Sequence, residues 1–484
     1  MKKIVLAILD GVGIRENKEF NALKIANTPT LDYLINKYPN SKLNASGEEV
    51  GLPRGQMGNS ETGHLNIGAG RIVYQPLELI NSKIRSGEFY SNDKILDVIN
   101  YAKNNNKKIH LMGLISDGGI HSHIEHLKSL LKMLKDNNCN NIYMHLISDG
   151  RDTLIDSGYN YVKEVSDLNI GKVASICGRY YTMDRDKNYD RNLKGYNLMV
   201  KGEGKFYNDL KEVFDDNYKN NIYDEFIEPS LLDKNGLIEK DDAIIWFNFR
   251  PDRAIQILTM LMKITNHIVT MMKVSDDIKV PNAFSLDKLD NTFGKYISNL
   301  GISQLRIAET EKYAHVTYFF DGGIDIEYKL EKRILIPSPK VSTYDLKPEM
   351  SSYLITDELI KNMSNFDVVI LNFANGDMVG HTGNMDASVK AVEAIDNNLK
   401  RIYDECIKLG FTLIITADHG NCELMKDDDG NIITTHTTNL VPLIICEEGI
   451  KLKDGKLSDI APTILKLMNL DVPDEMTGNI LIES

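Results

Sequence analysis

Six residues spread along the chain carry side chains that bind hard or borderline cations: Asp10, Asp377, His381, Asp418, His419 and His436. Carboxylates and neutral imidazoles suit Mn²⁺ or Zn²⁺, and a set without cysteine argues against a structural zinc site. Asp377 and His381 are spaced D-x-x-x-H, Asp418 and His419 adjoin, and both segments follow apolar runs. Six ligands suffice for two metal ions with open coordination positions. The stretch Gly55–His64, GQMGNSETGH, adds a lone Ser60 among glycines and polar residues. It is too polar for a core strand and too rich in glycine for a helix interior. Two readings stand: a surface turn, or a nucleophile segment whose glycines let backbone approach a substrate. Metal ions beside Ser60 would lower the pKa of its hydroxyl and favour attack at neutral pH. If Ser60 opens a helix, free backbone N–H groups there would also favour a bound phosphate.

A second constellation lies mid-chain. Arg151-Asp152, Arg179 and Arg185 in GRYYTMDRD, Arg250 and Arg253 in NFRPDR, and His121 and His123 in SDGGIHSH come from four segments. Arginine clamps carboxylate and phosphate bidentately, as lysine cannot. One arginine alone is a solvated surface charge; four segments that each finish an apolar run this way argue for one electropositive cleft. The ligand it implies is small and carries more than one negative charge.

The elements that position these groups are short apolar runs ending in polar residues. KIVLAILD, VVILNFANGD and LIITADHGN flank the metal-type residues, and Asp10, Asp377 and Asp418 each stand where such a strand finishes. Amphipathic helical stretches such as Asp386 to Leu409 alternate with them. Continuous apolar strands between helices imply a mostly parallel sheet covered on both faces, with ligands outside the carboxyl ends of its strands. KKIHLMGLISDGG, NIYMHLISDGRD, GKVASICGRY and AIIWFNFRPDR form a second such set. The expected organisation is α/β with two domains: the chain leaves one domain near residue 74, builds another over 75–286, and returns near 287. The segment from Met262 to Phe284 carries no readable pattern.

A length of 484 residues exceeds one ordinary core. With 69 acidic against 56 basic residues the formal charge is −13, which disfavours nonspecific nucleic-acid binding. A cleft can still hold a field of opposite sign. The five cysteines, Cys139, Cys177, Cys406, Cys422 and Cys446, form no C-x-x-C pair and read as reduced thiols of the cytoplasm. The N-terminal apolar run is broken by Asp10 and lacks a small-residue cleavage site, so it reads as a buried strand. No apolar run approaches the roughly 18 residues of a membrane helix. No membrane or nucleic-acid partner is expected, and a monomer is the default.

These segments carry a family resemblance. The chain resembles the cofactor-independent phosphoglycerate mutases, relatives of alkaline phosphatase, almost end to end: ILDGVG, GQMGNSETGHLNIGAGR, LISDGGIHSHIEH, SDGRDT, GRYYTMDRD, NFRPDRAIQ, LRIAETEKYAHVT, LIPSPKVSTYDLKPEMS, NGDMVGHTG, TADHGN, THTTNLVPL and SDIAPTILKLM. The resemblance implies an alkaline-phosphatase-like, mostly parallel sheet domain of residues 1–74 and 287–484 that carries the metals and the nucleophile. It implies an inserted α/β domain of residues 75–286 that binds substrate. Ser60 becomes phosphoserine. Asp377, His381 and His436 hold one metal ion; Asp10, Ser60, Asp418 and His419 hold the other. His121, Arg151, Asp152, Arg179, Arg185, Arg250 and Arg253 bind phosphoglycerate, and Lys312 in ETEKYAH reaches the phosphoryl group. Mn²⁺ is the first choice of metal, with Zn²⁺, Co²⁺ or Mg²⁺ compatible. The reaction implied is interconversion of 3-phosphoglycerate and 2-phosphoglycerate without bisphosphoglycerate, with Asp152 as the candidate general acid and base.

Two departures stand out. The stretch between Arg253 and Leu305 is shorter than the family usually has, and Gly376 stands where it often has proline. The rivals are a phosphomonoesterase or phosphopentomutase of the same superfamily, and a catalytically silent metal-binding scaffold. A phosphatase needs no arginine grip on its alcohol product, and a scaffold needs no nucleophile. A sulfatase fits less well still, since the context of Ser60 lacks Cys/Ser-x-Pro-x-Arg.

Overall fold

The structure, a computed structural model, describes every residue except Asp287 and Ser484. The chain divides into two compact units, Met1–Tyr74 with Asp287–Ser484, and Gln75–Leu286. In the first unit eight strands form one sheet, in the order Glu331–Ile336, Gln304–Glu309, Val368–Phe373, Lys3–Leu9, Phe411–Thr416, Val441–Ile445, Asn40–Asn44 and Gly455–Lys456. The first five run parallel, and Val441–Ile445 is antiparallel to both of its neighbours. Val368–Phe373 and Phe411–Thr416 are buried at every position, so each strand can be apolar throughout instead of alternating. Helix Met385–Leu409 is capped by the Asn384 side chain, which accepts from Ala387 N, and by Gly410 in the left-handed region.

The glycine-rich stretch departs from its sequence expectation. Ser60–Ala69 is a regular helix, with the Asn59 side chain accepting from Thr62 N at 2.8 Å. Its glycines, poor for helix propensity, are required by packing. A Cβ on Gly63 would lie 2.6 Å from the Asp418 carbonyl oxygen, and one on Gly68 would lie 1.9 Å from that of Phe320. The helix therefore docks with its backbone against its neighbours, and tertiary contact overrides propensity.

The second unit holds a seven-stranded sheet in the order Lys205–Phe206, Ser230–Leu231, Lys172–Gly178, Ile142–Ser148, Ile109–Ile115, Ala243–Trp246 and Ile268–Thr270. All its pairings are parallel except that between Lys172–Gly178 and Ser230–Leu231. The unpatterned segment Met262 to Phe284 supplies the edge strand Ile268–Thr270, then turns back so that Ala283 N donates to Thr270 O and Phe284 N to Met271 O. Phe284 stacks on Phe89 at 5.7 Å. An edge strand of three residues is too short to show a period in sequence. Among the described residues no helix is long and apolar enough to cross a membrane.

Candidate functional site

Four neighbouring parallel strands of the first unit deliver charged side chains to one edge of its sheet. Asp10 follows Lys3–Leu9, Lys312 follows Gln304–Glu309, and Asp418 with His419 follows Phe411–Thr416. Asp377 corrects the sequence reading. The run VVILNFANGD is not strand to its end: the strand stops at Phe373 and a short helix, Asn375–Gly380, takes over. One helical turn then brings His381 Nε2 to 3.0 Å from Asp377 Oδ1, as an i,i+4 spacing does on a helix.

Ser60 is the first residue of its helix and is 6% exposed. Its Oγ donates to Asp10 Oδ1 at 3.0 Å, accepts from Lys312 Nζ at 2.6 Å, and lies 2.9 Å from His419 Nε2. Lys312 Nζ also donates to Asp10 Oδ1 at 2.8 Å and to Asp377 Oδ2 at 2.7 Å. Neutral side chains complete the surround. Asn372 Nδ2 donates to Asp10 Oδ2 at 2.7 Å, and Asn421 Nδ2 donates to Asp377 Oδ1 at 2.8 Å. His64 Nδ1 donates to the Ser60 carbonyl at 2.8 Å.

The donor chemistry fits divalent cations. His381 Nδ1 faces Thr434 O at 2.6 Å and His436 Nδ1 faces Gly58 O at 2.8 Å. A carbonyl only accepts, so each ring keeps its proton on Nδ1 and turns an Nε2 lone pair inward. Those two Nε2 atoms are 3.1 Å apart, and His436 Nε2 is 3.2 Å from Asp377 Oδ1. Asp418 Oδ2 is buried and accepts no hydrogen bond. Ligand atoms of Asp377, His419 and His436 lie within 4.8 Å of one another, as do those of Asp10, Asp418 and His419. Imidazole lone pairs turned inward among three carboxylates, one of whose oxygens has no donor, are stabilised by positive charge.

The titration shifts report the same demand. Burial alone would raise the Asp10 and Asp377 carboxyls, but Lys312 and the surrounding histidines hold both well below the usual range. Burial would lower His419, yet Asp418, Asp10 and Asp377 carry it up to about 10. Lys312 is likewise raised: its desolvation is outweighed by Asp10, Asp377 and Asp418.

In the second unit the arginine-bearing segments also follow parallel strands. Arg151 and Asp152 come after Ile142–Ser148, Arg179 directly after Lys172–Gly178, Arg250 and Arg253 after Ala243–Trp246, and His121 after Ile109–Ile115. Carboxylates join three of these arginines, while Arg151, more than half exposed, stands 3.8 Å from Glu225 Oε1. Arg179 NH1 donates to Asp149 Oδ1 and to Asp152 Oδ2, each at 2.6 Å. Arg185 NH1 donates to Asp252 Oδ2 at 2.8 Å and Arg250 Nε to Asp252 Oδ1 at 3.0 Å. His121 lies between the two groups, with Nε2 at 4.0 Å from Asp152 Oδ2 and Nδ1 at 3.9 Å from Asp252 Oδ1. Arg253 NH1 donates to the Met183 carbonyl. Burial lowers the Arg253 pKa, and the nearby Arg179, Arg185 and Arg151 lower it further. His121 falls to about 4 through burial and the Arg179 charge, so it is neutral at pH 7. His123, grouped with His121 in sequence, turns elsewhere: its Nδ1 accepts from Glu125 N and caps helix Ile124–Asp136.

Sequence reasoning passed over His64, Asn372, Asn421 and Glu423 in the first unit, and Asp149 and Asp252 in the second. Asp149 and Asp252 sit inside the motifs SDGRDT and NFRPDR, where a carboxylate within two residues of an arginine is a readable signal. The others stand in no spacing pattern and become visible only through contact.

Comparison with known proteins gives concordant results. The chain matches the metalloenzyme superfamily over residues 2–472. It is 49% identical to the 2,3-bisphosphoglycerate-independent phosphoglycerate mutase of Aster yellows witches'-broom phytoplasma (strain AYWB), covering 100% of this chain and 99% of that one. The enzyme of that name from Clostridium novyi (strain NT) is 48% identical, with 100% and 99% covered. Among solved structures, Leishmania mexicana phosphoglycerate mutase at low cobalt concentration is similar with a TM-score of 0.55 and 28% identity, covering 100% of this chain and 98% of that one.

Proposed function

The chain belongs to the 2,3-bisphosphoglycerate-independent phosphoglycerate mutases, in the metalloenzyme superfamily, and from that membership we propose that it interconverts 3-phosphoglycerate and 2-phosphoglycerate through a phosphoserine on Ser60. The observation that carries the reading is the convergence of Lys312 Nζ, Asp10 Oδ1 and His419 Nε2 within 3.0 Å of Ser60 Oγ. Two divalent ions, Mn²⁺ by first choice, are assigned to Asp377, His381 and His436, and to Asp10, Ser60, Asp418 and His419. When bound, they supply positive charge that lowers the pKa of the Ser60 hydroxyl and offsets charge on the phosphoryl group.

The chain's own residues do the rest. Ser60 Oγ, its hydroxyl proton having passed to solvent, attacks the substrate phosphorus; the bond from phosphorus to the glycerate oxygen breaks, and Asp152 in its protonated form gives its proton to the departing oxygen. Lys312 follows the equatorial oxygens of the transferring group. Glycerate stays on the second unit, its carboxylate held by Arg250, Arg253 and neighbouring arginines with His121. When its other hydroxyl is presented, Asp152 takes that proton and the oxygen attacks phosphoserine, regenerating Ser60. Residues 1–74 with 287–484 are thus the metal and nucleophile domain, and 75–286 the substrate-binding domain. Such an enzyme works in glycolysis and gluconeogenesis in the cytoplasm, here as a monomer with no nucleic-acid or membrane partner.

The test is turnover of 3-phosphoglycerate coupled to enolase, with no bisphosphoglycerate added. Protein dialysed long against chelator is expected to be inactive and to recover with Mn²⁺. Full activity in excess chelator would sink the reading.

A further inference from the structure

Glu423 is fully buried in the first unit, and none of the steps above uses it. Its Oε2 accepts from Gly13 N at 3.1 Å and from Asn421 N at 2.8 Å. Its Oε1 accepts from the Thr437 hydroxyl and from Asn439 Nδ2, the latter at 2.9 Å. All four partners are neutral donors, and each lies on a loop that bears a metal-type ligand. Gly13 is in the loop that begins with Asp10, Asn421 closely follows Asp418 and His419, and Thr437 adjoins His436. The loops close tightly on the carboxylate. A Cβ on Gly13 would lie 2.5 Å from the Glu423 carboxyl carbon, and one on Gly420 would lie 2.3 Å from Oε1. Thr437 N also donates to Gly420 O at 3.0 Å, which ties two of these loops directly.

We propose that Glu423 is the positioning residue that sets metal affinity by joining the three ligand loops; this rests on the metal-centre reading above. Four inward donors select a group that only accepts, which among side chains is an ionised carboxylate. Its influence reaches the ligands along short paths. Asn421, fixed through its N–H by Glu423, donates from its side chain to Asp377 Oδ1 at 2.8 Å. Thr437, fixed through its hydroxyl, sets the backbone that aims His436. Groups that orient ligands in this way typically change metal affinity by about 10–100-fold when altered.

Glu423→Gln keeps the size and forces a choice. The backbone N–H groups of Gly13 and Asn421 cannot turn, so the amide NH₂ must face Thr437 and Asn439 and reverse those bonds. The loosened loop is the one bearing His436. Thr437→Val removes a single donor from the same loop and is the milder companion variant. The dialysed wild type and both variants are titrated with Mn²⁺, free Mn²⁺ being read by electron paramagnetic resonance. Melting temperatures are recorded in chelator and at one fixed Mn²⁺ concentration.

Glu423→Gln is expected to raise the Mn²⁺ dissociation constant about tenfold or more, and Thr437→Val by a smaller factor in the same direction. The melting-temperature gain from Mn²⁺ should shrink in that order, because a ligand stabilises the fold according to its concentration relative to its dissociation constant. A merely structural role would lower the melting temperature equally with and without Mn²⁺, and so overturns the proposal. If Glu423→Gln fails to fold, Thr437→Val decides: wild-type Mn²⁺ affinity overturns the proposal, weakened affinity supports it. Absence of any Mn²⁺ binding by the wild type overturns the metal-centre reading and the positioning role with it.

Discussion

The same residue type is driven in opposite directions in the two units. In the first, the adjoining Asp377 carboxylate raises His381, and His419 rises to about 10 against its burial because carboxylates face it. In the second, burial lowers His110 and His145, takes His126 to about 3, and with Arg179 takes His121 to about 4. Burial lowers the ring in both; around His419 three carboxylates outweigh it, whereas in the second unit burial prevails, at His110 even against the Asp242 carboxylate. The first cluster holds more carboxylate than cation and attracts positive charge. The second holds more guanidinium than carboxylate and attracts an anion, but Arg179, Arg185 and Arg250 are already engaged by Asp149, Asp152 and Asp252. Those internal partners keep the arginines ordered, so an incoming anion exchanges one carboxylate for another instead of ordering loose side chains.

Ser60→Ala tests the first side of that comparison most severely. Turnover should fall at least about a thousandfold, as loss of a nucleophile demands, while 3-phosphoglycerate still binds, because the anion-binding cluster is untouched. A variant with more residual turnover than that places the phosphoryl acceptor elsewhere. Asp152→Asn crosses to the second side. An amide can still accept from Arg179, so binding should survive, whereas proton transfer is lost and kcat should drop about a hundredfold or more. If KM rises and kcat holds, Asp152 orients the arginines and moves no proton.

Legibility in the sequence followed the same divide. Strand ends could be read because continuous apolar runs stop abruptly, and Asp10 and Asp418 sit where they stop. Asp377 lies in the neighbourhood its motif implies but on a different element, since nothing in VVILNFANGD marks the change from a continuous apolar strand to a helical turn at Asn375. The helix Ser60–Ala69 was unreadable for a related reason. Propensity penalises Gly63 and Gly68, and the backbone contacts that require them belong to residues hundreds of positions away in sequence, Asp418 and Phe320. Glu423 is the extreme case: one acidic residue among 69 acidic side chains, distinguished only by four donors that folding brings to it. Lone charged residues become informative once their partners are known, and no spacing rule supplies those.

Arg250→Ala sharpens the role of the second cluster. The side chain is about half exposed and shares Asp252 with Arg185, so its loss removes part of the anion clamp without disturbing a core. Phosphoserine can pass its group to retained glycerate or to water, and positioned reactants gain effective molarities of about 10⁵ M or more. Weakened retention should therefore raise inorganic phosphate released per 2-phosphoglycerate formed, by a factor on the order of ten if one guanidinium–carboxylate pair is lost. An unchanged ratio, with both rates falling together, would confine Arg250 to initial binding.

The smallest effect concerns the neutral histidines of the second unit. His126 Nε2 donates to Asn81 Oδ1 at 2.9 Å, its Nδ1 is buried without a partner, and burial followed by the His123 charge lowers its pKa to about 3. The unfolded value is about 6.5, so the unfolded chain binds a proton that the folded unit refuses. Stability contributed by the neutral ring is present above pH 6.5 and declines as pH falls towards 3. Between pH 6.5 and 5.5 this one group should cost roughly 1 kcal/mol. Trp246, the single tryptophan of the chain and fully buried in this unit, reports its unfolding without interference from the other. His126→Gln keeps a donor for Asn81 and does not titrate. Denaturant unfolding followed by Trp246 fluorescence should show a smaller loss of stability between these pH values in the variant than in the wild type, whatever its stability at pH 7. Equal losses would mean that His126 takes up its proton as readily in the folded unit as in the unfolded chain, and that the acid sensitivity of this unit resides in other groups such as His110 and His145.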